Sequence, residues 1–416
     1  VGRLLTRGHP AATAAVQAMV VGNPPQALIL AGPQGVGKTT LALDLAAGLL
    51  CEAPDPADRP CRECRGCRLV ERGGHADVHR LAPSGPGQQV RIGDRSSPEP
   101  GTVRRLIADL ALLPVEGGAR VAIVERADRL NEDAQSALLK ILEEPPSGVT
   151  IVLCADRDDL LLPTVHSRCV RLRLGPVAVR EIESLLEDAG VADASRASRL
   201  ARLSSGRPGA ALALAMAPDA VTARDEIART LLDLASAGAA RRLSVGRELL
   251  ARSGELVAAL ERVGEVRIGG ATTPAGETTG RRPRGRRGSA ASAAEPAEPA
   301  DATDPGAETG DDDEEAAEAT AVRAPATERR RAAATLVEIW REVARDLLLV
   351  GLGEERRLRD PAMLDDLRAA AGLDPEALRS FIGRLAGTAE LLEANVSPEL
   401  AIDALLIAWP RRAAAA

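Results

Sequence analysis

Eight residues, Gly32-Pro33-Gln34-Gly35-Val36-Gly37-Lys38-Thr39, fit the spacing G-x-x-x-x-G-K-[ST] at every position. An apolar run, Ala27 to Ala31, precedes them and a helical run follows, the strand–loop–helix context in which this spacing cradles phosphate. The glycines let backbone N–H groups turn inward around phosphate oxygens, and the helix N-terminus adds partial positive charge. Lys38 supplies a compact ammonium, and Thr39 offers its hydroxyl to Mg²⁺, with Thr40 beside it in the binding set. Of 53 basic residues only Lys38 and Lys140 are lysines, so lysine at these places resists replacement by arginine. ATP with Mg²⁺ is therefore an expected cofactor, against the alternative of a chance glycine turn.

Hydrolysis asks for more. A second strand normally ends in a carboxylate pair, one to hold the metal and one to polarise water. The matching strand here reads Val121-Ala122-Ile123-Val124, and Glu125 and Arg126 stand at the two positions. Arg126 cannot act as a general base, because a guanidinium stays protonated. Asp128 is displaced by two residues. Either Glu125, through its longer arm, or Asp128 could substitute. The expectation is that nucleotide is bound and poorly hydrolysed.

A second cluster has different chemistry. Cys51, Cys61, Cys64 and Cys67 read C-x9-C-x2-C-x2-C. The close spacings let thiolates converge on one tetrahedral ion, and the long loop brings in the fourth. Structural Zn²⁺ is expected, with an iron–sulfur cluster or plain reduced thiols as alternatives. Arg59, Arg62, Arg65 and Arg68 interleave with the cysteines and are expected to offset thiolate charge. Cys154 reads as a core thiol, and His75 and His79 as ordinary loop and strand residues.

The elements that must hold these residues follow from hydrophobic patterning. Short apolar runs at Ala27–Ala31, Asp77–Ala82, Arg120–Glu125, Thr150–Ala155 and Cys169–Leu174 read as strands. Between them lie helices, one with Val103, Leu106, Ile107 and Leu110 on a face, another capped by Asn131 and stopped at Pro145-Pro146. Strands alternating with helices predict a parallel α/β sheet over residues 1–176. A small helical unit is expected over 177–217, and a longer helical domain over 218–264 and 331–412. Residues 265–330 carry almost no large apolar side chains and read as a disordered insertion, with an Arg-rich run at 281–287 and an acidic run after it. Four of the six cysteines crowding together argue for metal rather than disulfides. A net charge of −7 excludes a global basic field for nucleic acid. No apolar run is long enough to span a bilayer and no signal peptide opens the sequence, so a cytoplasmic protein is expected.

The phosphate loop, the four-cysteine insertion after its helix, "ALLKILEEPP" (137–146) and "PTVHSRC" (163–169) together resemble the bacterial DNA polymerase III clamp loaders, an AAA+ family. "HADVHRLAP" and "ADRLNEDAQSALLKILEEPP" are most similar to its delta-prime members rather than its gamma/tau motors. The resemblance implies an AAA+ module, a helical lid and an all-α collar domain. It implies that Arg168 is an arginine finger reaching a neighbouring subunit's ATP, and that Lys140 lies on a helix facing DNA. It implies gamma/tau motor and delta subunits as partners in a pentamer, with the sliding clamp and primer–template DNA engaged through the assembly during replication. Two departures point away from a motor. Glu125-Arg126 replaces the acidic pair, and Gly209 stands where motors carry a lid arginine, with Arg207 out of register. A gamma/tau-type motor and a DNA-binding module acting through residues 281–287 are the competing readings.

Overall fold

The structure, a computed structural model, describes residues 2–84, 89–94, 98–116, 118–265, 325–394 and 396–411. Five strands, β1 (Ala27–Ala31), β2 (Val78–Leu81), β3 (Arg120–Val124), β4 (Val149–Ala155) and β5 (Val170–Arg173), form one parallel sheet in the order β2-β3-β4-β1-β5. The three inner strands are buried along their whole length, which is why they read as unbroken apolar runs. The edge strand β5 instead carries Arg171 and Arg173, charges that keep an open edge from pairing elsewhere.

Helices cover both faces. α1 (Pro10–Val21), α2 (Lys38–Leu49) and α3 (Arg65–Glu71) belong to one side, where Val16, Leu41 and Leu45 pack on Leu28, Leu30, Val121 and Ile123. α4 (Val103–Leu110), α5 (Glu132–Glu143) and the short α6 (Pro163–His166) belong to the other, where Leu106, Leu110 and Leu138 pack on Ile29, Ala122 and Leu153. Residues alternating along β1 thus feed two different cores, as the pleat requires. α5 begins as its sequence predicts, with the Asn131 side chain accepting from the N–H of Ala134 at 2.9 Å. α1 went unpredicted, since its Ala/Val run has no sharp polar face.

α7 (Val179–Asp188), α8 (Ala194–Leu203) and α9 (Pro208–Met216) form the small helical unit, whose Ile182, Leu186 and Leu200 join the core on the α1–α2 side. The remaining helices, α10 (Pro218–Asp233), α11 (Ala239–Glu265), α12 (Ala326–Gly351), α13 (Leu364–Ala370), α14 (Pro375–Glu393) and α15 (Pro398–Ala408), share a separate core. All the aromatic residues of the chain meet there: Phe381 and Trp409 have ring centroids 4.8 Å apart, and Trp340 lies 5.3 and 5.5 Å from them. Arg199 of α8 bridges to Asp225 at 2.7 Å and Asp360 at 2.8 Å, tying the small unit to this region, within which Arg224 of α10 meets Glu342 of α12 at 2.7 Å.

The insertion is shorter than its composition suggests. α11 runs to Glu265, and α12 begins at Ala326 rather than near Ala332. Ala, Glu and Arg are strong helix formers, and Arg329 is held by Glu399 at 2.5 Å, so a stretch poor in apolar residues still extends the helix. Residues 266–324, with the Arg-rich run at 281–287, lie outside the described residues.

Candidate nucleotide and metal sites

The phosphate loop leaves β1 at the carboxyl edge of the sheet, where ligands bind in open α/β folds. Gly35 (φ 79°) and Gly37 (φ 109°) take left-handed conformations, and Gly37 caps α2. A Cβ on Gly37 would meet nothing within 4 Å, so the loop faces open space at that residue, whereas at Gly35 it would meet Ala210 N at 3.5 Å. Gly32 packs so closely that a Cβ would lie 2.2 Å from the carbonyl of Leu174. Pro33, Gln34 and Thr40 are exposed, Thr39 is half-buried, and Val36 is buried with its carbonyl 2.9 Å from His9 Nε2. The ammonium of Lys38 is buried and donates to the carbonyls of Gly32 (2.6 Å) and Pro33 (2.8 Å) and to Asp156 Oδ1 (2.7 Å). These residues fit a polyphosphate: the turn, the free volume and the cation are in place.

The neighbouring strand ends are differently furnished. β3, β4 and β1 lie side by side, so Arg126, Asp156 and Lys38 follow three adjacent strands. Glu125 turns outward to Arg80 of β2, whose Nε donates to it at 2.9 Å. Arg126 has a left-handed backbone (φ 52°) and its Nε lies 3.5 Å from Asp156 Oδ2. Burial pulls its guanidinium below the ordinary arginine value, against the attraction of Asp156. Asp128 is buried and its Oδ1 accepts from the N–H of Asp156 at 2.8 Å; burial raises its carboxyl above the usual range. Sequence reasoning did not single out Asp156, Arg80 or His9. The one available signal was an acid directly after the strand that neighbours the phosphate-loop strand.

At the other end of α2 the four cysteine sulfurs lie within 4.8 Å of one another, with Cys51 and Cys64 Sγ 4.0 Å apart. Tetrahedral zinc–sulfur geometry asks for separations of about 3.8 Å. Backbone N–H groups point at the sulfurs: Ala53 and Cys61 at Cys51 (3.5 and 3.4 Å), Cys64 at Cys61 (3.4 Å), Cys67 at Cys64 (3.4 Å). Such donors favour thiolate. They hold Cys61 at about 7, with the N–H of Glu63 the main cause, whereas burial pushes Cys67 well up. The donor set fits a closed, structural metal centre.

The arginines between the cysteines are employed elsewhere. Arg62 pairs with Asp44 and Glu71, Arg65 with Glu116 at 3.0 Å, and Arg59 donates to the Ala53 carbonyl at 2.7 Å. Acidic side chains hold Arg62 and Arg65 and a carbonyl holds Arg59, whereas backbone amides face the sulfurs. His75 is buried and accepts the Asp77 N–H at 3.1 Å, His79 is half-buried on β2, and Cys154 is buried in β4. None of the three belongs to the sulfur cluster.

Comparison with known proteins places this module. The family model described as "DNA polymerase III, delta subunit" matches residues 9–178. The delta-prime subunit of Pseudomonas aeruginosa DNA polymerase III is 35% identical over 183 residues, 44% of this chain and 53% of that protein. Its Escherichia coli counterpart is 34% identical over 188 residues, 45% of this chain and 54% of that one. The E. coli tau subunit is 31% identical over 207 residues, 49% of this chain and 30% of tau. Residues 9–178 are thus similar in sequence to DNA polymerase III subunits. The chain spans about half the length of the curated delta-prime relatives it matches. A gamma-subunit-related protein from Thermotoga maritima overlays 95% of this chain and 98% of its own at 16% identity, with a TM-score of 0.40. The fold is a five-stranded parallel sheet with helices on both faces, followed by a helical region.

Four further residues named under the clamp-loader resemblance have defined surroundings. Arg168, just past α6, is one-third exposed; it donates to the Thr164 carbonyl at 3.0 Å and pairs with Glu143 at 2.7 Å. Lys140 is exposed on α5. Gly209, in the first turn of α9, donates its N–H to the carbonyl of Gly35 at 2.9 Å, so the small helical unit touches the phosphate loop there. Arg207 points elsewhere, to Glu338 of α12 at 2.9 Å.

Proposed function

We propose that this chain is a delta-prime-type subunit of the DNA polymerase III clamp loader, one that holds a nucleotide and hydrolyses it poorly or not at all. One observation carries the reading: the strand-end carboxylates are engaged, Glu125 by Arg80 and Asp156 by Lys38 and Arg126. Among the described residues no carboxylate at these strand ends is left to polarise water, and Arg126 stands where one would be needed. The lid adds no cation either, because Gly209 lies against the loop and Arg207 turns away.

In this reading Gly32 to Thr40 hold the nucleotide, and Cys51, Cys61, Cys64 and Cys67 hold a structural Zn²⁺. The chain's own contribution to hydrolysis is Arg168, offered in trans to a neighbouring gamma/tau motor. Its pairing with Glu143 is half-exposed, and such surface pairs are worth only ~0–1 kcal/mol, so releasing it to a γ-phosphate costs little. The helical C-terminal region would complete a pentamer with motor and delta subunits that opens the sliding clamp on primed DNA. Polymerase chemistry belongs to the holoenzyme, not to this chain.

The decisive experiment is reconstitution with motor and delta subunits, comparing the natural chain with Arg168→Ala. Clamp loading and ATP turnover should fall in the variant although it assembles normally. Turnover by the isolated chain at a motor's rate, lost on Lys38→Ala, would instead establish the gamma/tau alternative.

A further inference from the structure

The charges around the phosphate loop bear on which form of nucleotide it accepts, a question that rests on the nucleotide-holding reading above. A divalent cation such as Mg²⁺ is bound through one or two carboxylates together with phosphate oxygens. Here every carboxylate at the relevant strand ends is committed. Glu125 faces Arg80, Asp128 accepts the Asp156 N–H at 2.8 Å, and Asp156 lies between Lys38 at 2.7 Å and Arg126 at 3.5 Å. The position directly after β3 that would bring a metal ligand is Glu125, turned to Arg80, and the next position brings the guanidinium of Arg126. Its Nε is buried without a hydrogen bond, and the like charges of Arg129 and Arg331 act on it.

Asp156 therefore behaves as a resident anion. Its carboxylate bridges two cations at the mouth of a loop whose N–H groups and free volume suit phosphate. A terminal phosphate is the same kind of ligand, with more oxygens and more charge. We propose that this loop takes a nucleoside di- or triphosphate as the free anion, without a divalent cation. The terminal phosphate replaces the Asp156 carboxylate between Lys38 and Arg126. Arg126 then supplies the charge neutralisation that a metal supplies in a hydrolysing site, and the displaced carboxylate opposes binding.

The test is calorimetric titration of ATP into the full chain, in divalent-free buffer and in saturating Mg²⁺. The buffer is freed of metal on a resin rather than by a soluble chelator, so that the cysteine cluster keeps its ion. ATP should bind at least as tightly without Mg²⁺. Arg126→Gln should weaken metal-free binding about tenfold or more, the cost of one charge-assisted hydrogen bond to phosphate. Arg126→Lys should recover part of that loss, and Asp156→Asn should tighten binding. Binding seen only with Mg²⁺ would overturn the inference and leave the nucleotide-holding reading intact. Absence of binding in both buffers would overturn both. The comparison on the unaltered chain decides the matter even if a variant fails to fold.

Discussion

The helix Lys38–Leu49 has a different kind of site at each end. At its N-terminus, a phosphate loop sits among charges that come from far along the chain: Asp156 is 118 residues from the Lys38 it binds, and Arg80 is 45 from Glu125. At its C-terminus, a four-sulfur cluster is closed by residues within one short segment, and even its N–H donors come from that segment. One site is a local motif whose chemistry depends on distant partners. The other is complete within its own loop. The two sites should therefore respond independently to substitution.

The largest expected effect is at the cysteines. Structural zinc contributes on the order of 10–16 kcal/mol to folding of the segment it closes. Cys67→Ser should abolish zinc retention and expose residues 51–72 to protease. ATP binding should survive, because Leu41, Ala42, Leu45 and Ala46 of the helix are fully buried against the sheet side. Zinc content, limited proteolysis and ATP titration on one preparation check this. Joint loss of zinc and ATP binding would show that the helix couples its ends.

Next comes Lys38→Ala at the opposite end. A hydrogen bond from a charged group is worth about 1.5–3 kcal/mol, so ATP affinity should fall by about tenfold or more. Zinc content and protease resistance of the cysteine segment should not change. A loss of zinc in this variant would again refute independence.

The same contrast explains what could be read from the sequence. The phosphate loop, the sulfur cluster, the parallel sheet and the Asn131 cap all rest on local spacing or local patterning, and the structure shows each of them assembled. The partners of charged residues were not legible in that way. Arg62 sits among cysteines in the sequence yet pairs with Asp44, because tertiary proximity rather than spacing selects an ion pair. Asp156 reads as one more acid in a loop until β4 is seen to lie between β3 and β1. Likewise α1 and the extra turns of α12 lack apolar periodicity, and tertiary packing and the Arg329–Glu399 pair supply what the pattern omits.

A smaller effect tests whether distance along the chain disarms the nucleotide site. Arg80→Ala removes a partly buried ion pair and should cost roughly 1 kcal/mol or less of stability, seen in urea denaturation. Its more telling consequence is at Glu125, which gains freedom to turn toward the loop. ATP titration of this variant should show a greater benefit from Mg²⁺ than the natural chain shows. An unchanged Mg²⁺ response would mean that Arg126 alone, and not the capture of Glu125, sets the metal preference.

The smallest effect concerns Asp128, which lies behind Asp156. Burial raises its carboxyl above the usual range, so the folded chain holds this proton more tightly than the unfolded chain does. Stability then falls as pH rises from the ordinary aspartate value, about 4, toward the folded-state value. Asp128→Asn keeps an oxygen able to accept the Asp156 N–H and abolishes the titration. Relative to the natural chain it should gain stability as pH rises through that window, and the difference should shrink below it. Urea denaturation at a series of pH values measures this directly. A difference independent of pH would place the effect in packing or in the nearby Arg129 charge, 3.8 Å from the carboxylate, rather than in ionisation.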